Sequence, residues 1–294
     1  MLSSRVMIRN MFVNRLWIFK KEKYRKNMKY LIFIILLFTL QSCLGSVSPS
    51  HYKDTPVYDL AVAIDSEEIV DIHNILSKDS TLMYFNTAKL PSMFIIVLHN
   101  KRFESIKTLL DMGYSPDTRL ESGESWFASA CAMNNINYMK LFLKYNPNLD
   151  FKYQHINNST INYTPLIAAI YSKNIDNFYL LVEKGADCNL SLPDGWTALA
   201  SSLGSRGNIK IAHYLMIEKK VDFKLPIGKY ADNSDRYIVD RFRWLTFPLG
   251  SEEHKLKMEC VEYMKKHGVD YFKTPIPDHI QRKYKDDPEY LEKY

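Results

Sequence analysis

The feature that most limits how this chain can fold is a short apolar block that returns in register. Leu60-Ala61-Val62-Ala63, Phe94-Ile95-Ile96-Val97, Phe127-Ala128-Ser129-Ala130, Leu166-Ile167-Ala168-Ala169 and Leu199-Ala200-Ser201-Ser202 begin 34, 33, 39 and 33 residues apart. Each is followed by a second apolar pair: Ile75-Leu76, Leu109-Leu110, Phe142-Leu143, Leu180-Leu181 and Tyr214-Leu215. A unit of this length cannot enclose a core alone, so each must bury its apolar face on its neighbours. The pattern predicts five phased helix pairs and a sixth, irregular one from Arg236 to Asp270, with helices over Tyr237 to Leu245 and Lys255 to His267. A long loop, Lys224 to Asp235, precedes the sixth.

The fourth unit shows what holds each pair in place. Thr164 can cap a helix through its hydroxyl, and Pro165 fits the first turn, where a missing N–H costs nothing. Gly185 suits a left-handed helix end, and Asp194-Gly195 a tight turn. Thr164-Pro165-Leu166-Ile167-Ala168-Ala169, Leu180-Leu181 and Gly185-Ala186-Asp187 together resemble the ankyrin repeat, with Ile167 standing where that family prefers histidine. The resemblance implies an all-α ankyrin-repeat solenoid of about five to six helix-turn-helix units joined by short hairpin-like loops.

The leader is read separately. Leu31 to Leu40 is almost wholly apolar and follows a basic stretch. It is shorter than the roughly 20 residues a membrane-spanning helix needs and matches the apolar core of an export signal. Leu40-Gln41-Ser42-Cys43 resembles a bacterial lipobox, which implies cleavage before Cys43 and a diacylglycerol on its thiol. The alternative is a secretory signal with an incidental cysteine. Met28 is a second candidate start. The expected organisation is a signal peptide over 1–42, a flexible tether over 43–54, the repeats over 55–272, and a polar cap or tail over 273–294. Leu44, by resemblance to enterobacterial sorting, suggests a lipid-anchored place in the cell envelope, on the periplasmic face of the outer membrane.

Charge narrows the partners. Residues 1–42 hold nine Lys or Arg and the single acid Glu22, leaving 30 basic and 32 acidic residues in the body. A near-neutral body has no footprint for nucleic acid. Eight histidines are scattered without metal-ligand spacing, and Gly204-Ser205-Arg206-Gly207 falls between two expected helices rather than after a strand. No cofactor, metal or catalytic residue is expected. Cys131, Cys188 and Cys260 read as small buried hydrophobes, with a disulfide between repeats as the alternative.

Ankyrin proteins generally bind through the concave face formed by hairpin tips and first helices. Carried over by repeat phase, that surface comprises Lys101, Arg102, Glu124, Trp126, Asn134, Asn135, Asn162, Tyr163, Lys173, Asn174, Trp196 and Arg206. Arg with Trp and Tyr is the chemistry of interaction hot spots, although Trp126 and Trp196 could instead pack between turns and stiffen the stack. The expected function is a monomeric, membrane-tethered, non-catalytic module for a protein partner. An immunity protein neutralising a cognate exported antibacterial toxin is the alternative, and an unrecognised enzyme is the third reading.

Overall fold

The computed structural model describes residues 47–87, 89–154, 162–172, 175–193, 195–204 and 208–294. The apolar leader and Cys43 lie outside them, as do Lys173, Asn174 and Arg206.

Helices come in pairs along the chain. α1 (Tyr58–Ser66) is followed by α2 (Ile69–Lys78), α3 (Met93–His99) by α4 (Phe103–Asp111), and α5 (Trp126–Cys131) by α6 (Ile136–Leu143). A two-stranded antiparallel ribbon, β1 (Tyr153–Gln154) with β2 (Asn162–Tyr163), leads to α7 (Pro165–Tyr171) and α8 (Ile175–Glu183). Next come α9 (Ala198–Ser202) with α10 (Ile209–His213), which runs on as a π turn over Tyr214–Glu218, and then α11 (Ile238–Trp244) with α12 (Glu252–Lys266). First helices α1, α3, α5, α7, α9 and α11 touch in series. Second helices α2, α4, α6 and α8 do the same, and α10 meets α12. The result is a two-layer solenoid.

Local chemistry starts and stops these helices in phase. The hydroxyls of Ser125, Thr164 and Thr197 accept the backbone N–H of Ala128, Ile167 and Ala200 at 3.1, 3.2 and 3.1 Å, which opens three first helices. Asn135 and Asn208 open second helices by accepting from Asn137 and Lys210 at 3.0 and 2.9 Å. Gly185 closes α8 at φ +97°, as its place in the repeat predicts. The fifth unit puts Lys220 at the matching bend with φ +52°, a position that its side chain resists.

The layers bury large side chains between units. Phe94, Trp126, Phe127, Phe142 and Phe178 are all essentially inaccessible. Polar ties cross the same seams. Ser105 Oγ donates to Ile64 O at 2.9 Å, and Asn177 Nδ2 donates to Cys131 O and Met133 O at 3.0 and 2.7 Å.

Packed structure continues at both ends of the repeats. Within the segment expected as a tether over 43–54, Tyr52 is 0 % exposed, ends the 3-10 turn Pro49–Tyr52 and donates to Pro91 O at 2.8 Å. A compact unit accordingly spans Pro49–Tyr294. At the other end, α13 (Asp278–Lys283) and α14 (Pro288–Lys293) enclose Ile280, Tyr290 and Tyr294 against Ile276, Tyr284 and Leu291. Polar residues coat this segment, but its interior is aromatic. Lys257 of α12 is buried beside it with 0 % exposure, its Nζ donating to Leu245 O at 2.9 Å and lying 4.4 and 5.0 Å from the Tyr294 and Tyr271 rings.

Candidate interaction surface

Hairpins lead from one unit to the next first helix. Leu120 N donates to Glu124 O at 2.8 Å in one, and Leu192 N to Trp196 O at 2.9 Å in another. The Lys224 to Asp235 segment is a longer hairpin of the same kind, closed by Ile227 N to Arg236 O at 2.7 Å and Arg236 N to Gly228 O at 2.9 Å. A ladder of side-chain acceptors sets the spacing at the hairpin bases. Asp117 accepts from Asn148 N at 2.9 Å, Asn148 from Asp150 N at 3.0 Å, Asp150 from Asp187 N at 2.9 Å and Asp187 from Asn189 N at 2.8 Å. Each Asp or Asn thus either shapes its own turn or holds the next unit's turn.

The residues expected to bind a partner divide in two. Trp126 is a correction: it is 0 % exposed, edge-on to Phe94 of the second unit and Phe142 of its own at 5.0 and 4.8 Å, and so joins two units. Arg102 is committed as well, with Nε and a terminal nitrogen 3.0 and 2.9 Å from Asp65 of the first unit. Lys101 bends the turn at φ +58° while its carbonyl takes the Tyr138 hydroxyl at 2.9 Å. Glu124 is half-buried, with one oxygen accepting from Ser129 Oγ at 3.0 Å. Asn134 and Asn135 are exposed, and Asn135 serves as the α6 cap. Lys101, Arg102, Asn134 and Asn135 sit where first helices end, whereas Glu124, Asn162, Tyr163 and Trp196 sit where they begin. The two groups lie at opposite ends of the first helices.

Tyr163 and Trp196 do belong to a patch, together with residues the sequence reading passed over. Tyr163 stacks on Tyr153 with centroids 5.6 Å apart and meets Tyr171 at 6.2 Å. Trp196 is half-buried, its Nε1 donating to Ser201 Oγ at 2.7 Å. Arg241 of α11 lies over that indole, its guanidinium carbon 4.7 Å from the ring centroid, and 6.0 Å from the ring of Trp244. Trp244 is 50 % exposed and meets His279 edge-on at 5.4 Å. Counting from the helix starts, Ala168, Ser201 and Arg241 are equivalent, as are Tyr171, Gly204 and Trp244. Extending the repeat register into the sixth unit is the signal that places Arg241 and Trp244 on the first-helix face. Burial, with Arg236 nearby, pulls the Arg241 guanidinium below its usual pKa.

The three cysteines are free and lie in separate units. Burial raises the Cys131 and Cys188 thiols and takes Cys260 up to about 12. Among the described residues, no three His, Cys, Asp or Glu gather as metal ligands, and no helix is long and apolar enough to cross a membrane.

Residues 93–192 match the family model for ankyrin repeats, in three copies. The chain is similar to a crystallised ankyrin repeat protein at 24% sequence identity, over 71% of this chain and 98% of that one, with a TM-score of 0.51. No curated protein matches by sequence. Residues 93–192 are therefore ankyrin repeats, and the helix pairs stacked on either side of them complete an ankyrin-repeat solenoid.

Proposed function

We propose that this chain is a monomeric binding module that holds a protein partner on the first-helix and hairpin face of its last three units, while a lipid on Cys43 keeps it at the cell envelope. Ankyrin repeats generally mediate protein–protein interaction, which gives the class of partner. The observation that carries the reading is the row Tyr163, Tyr171, Trp196, Arg241 and Trp244, four aromatics and an arginine that stay at least partly exposed in the stack. The chain acts by binding and not by turnover. Burial raises its three thiols, which disfavours the nucleophilic thiolate.

The tether rests on the basic leader, the apolar run Leu31 to Leu40 and the sequence Leu40-Gln41-Ser42-Cys43. Fatty acyl chains make such attachment durable, since each buried methylene contributes about 0.8 kcal/mol. On this reading the repeats face the periplasm.

A pull-down from the native cell tests the binding. The Trp196→Ala/Trp244→Ala double variant should lose partners that the natural chain and Lys144→Gln retain, and equal recovery by all three would overturn the assigned face. Cys43→Ala should abolish labelling by a fatty-acid probe and release the protein from membranes. Unchanged retention would overturn the anchor without touching the repeats.

A further inference from the structure

We propose that Arg241, held between Trp196 and Trp244, is the anchor that takes a side-chain carboxylate from an acidic segment of the partner protein. The proposal rests on the protein-binding reading above. Arg241 is half-buried, its Nε is buried without a hydrogen-bond partner, and none of the ion pairs among the described residues includes it. Arg236, whose charge acts on it, is in a similar state: its Nε is buried without a partner, and its guanidinium lies 4.7 Å from the Tyr230 ring. One terminal nitrogen of Arg236 reaches only a carbonyl, Lys229 O, at 3.3 Å. The acid nearest in sequence, Asp240, already accepts from Tyr237 N at 2.7 Å.

Arg241 is part-buried beside a second arginine, while the nearby Asp240 carboxylate is engaged by Tyr237 N and by Tyr230, so Arg241 itself has no carboxylate partner among the described residues. The ring faces of Trp196 and Trp244 offset part of the burial cost and hold the Arg241 side chain in place. A carboxylate offsets the rest, because the guanidinium fork matches its two oxygens and an aromatic surround strengthens the pair. The occupant is a polypeptide rather than a nucleic acid. The body carries 30 basic and 32 acidic residues, so it offers no extended positive track for a phosphate backbone. Tyr163 and Tyr171, further along the same face, supply apolar contact for residues flanking the acid.

A displayed random-peptide library selected on the full chain tests this. Peptides competed off by free glutamate-rich peptide are sequenced alongside the whole enriched pool, and the strongest is synthesised as the probe. The enriched set should share an Asp or Glu. The probe should bind Arg241→Gln roughly tenfold or more weakly, since a hydrogen-bonded charge is lost. Arg241→Lys, which keeps the charge but not the fork, should fall between, and Arg282→Gln, an equal charge loss on α13, should bind as the natural chain does. Thermal melts confirm that each variant is folded. Enriched peptides without an acid, or a probe indifferent to Arg241→Gln, would overturn this inference and leave the protein-binding reading standing. A chain that enriches no peptide would overturn both.

Discussion

Asn189 Oδ1 accepts the backbone N–H of Asp222 at 2.9 Å, and Asp222 Oδ1 accepts that of Lys224 at 2.8 Å, the last link of the acceptor ladder that begins at Ser115. The next residue in register is Lys224, whose side chain cannot accept, so the ladder joins the second to fifth units and stops. The sixth unit is held instead by helix contacts and by surface pairs, Lys210 with Glu252 at 2.9 Å and His213 with Glu259 at 2.6 Å.

Breaking the ladder should therefore loosen the joint between units. Asp150→Ala removes the acceptor for Asp187 N and should lower stability by about 1 kcal/mol, whereas Asp150→Asn keeps an oxygen there and should lose less. Urea midpoints at constant slope distinguish the two, and equal losses would show that the bond carries nothing.

The two tryptophans should respond unequally. Trp126→Ala empties a site packed by Phe94 and Phe142, and a loss of about 3–5 kcal/mol is expected. Trp196→Ala uncovers a half-buried surface site and should cost on the order of 1–2 kcal/mol while impairing partner capture. Denaturant titration of both variants checks the order.

Gly195 combines two constraints. Its φ is +79°, and a Cβ there would stand 2.8 Å from Pro226 O in the following hairpin. Gly113 shares the backbone conformation, at φ +90°, but has open space around it. Gly195→Ala should thus destabilise by more than the roughly 1–2 kcal/mol of left-handed strain expected at Gly113→Ala. Thermal melts of the two variants measure the difference.

Burial, reinforced by Arg243, lowers the Lys257 ammonium to about 7. Between about pH 7 and about 10.4 the unfolded chain then holds a proton that the folded chain does not, so this group makes stability rise with pH across that window. Below about 7 both states are protonated and the full penalty remains. The natural chain should gain up to about 1.4 kcal/mol per pH unit relative to Lys257→Met between pH 8 and 9, roughly the middle of the window. A constant difference between the two proteins across that range would contradict the assignment.

The repeat and its punctuation were legible in the sequence because they are local. Thr164 caps through a hydroxyl three residues from the N–H it serves, and Gly185 takes a left-handed bend that few other residues tolerate. Apolar blocks in phase dictate stacking because no unit can bury its own face. Which outward side chains remain available was not local. Trp126 and Trp196 each precede a first-helix apolar block, yet one is enclosed by Phe94 and Phe142 and the other is met by Arg241, 45 residues later in the chain. Tyr52 and Tyr294 look like parts of a tether and a tail until Pro91 and Tyr271 are brought to them. The sequence by itself determined the period, the helix ends and the stack. Only the tertiary structure decided which aromatics become core and which become surface, because burial depends on neighbours supplied by other units.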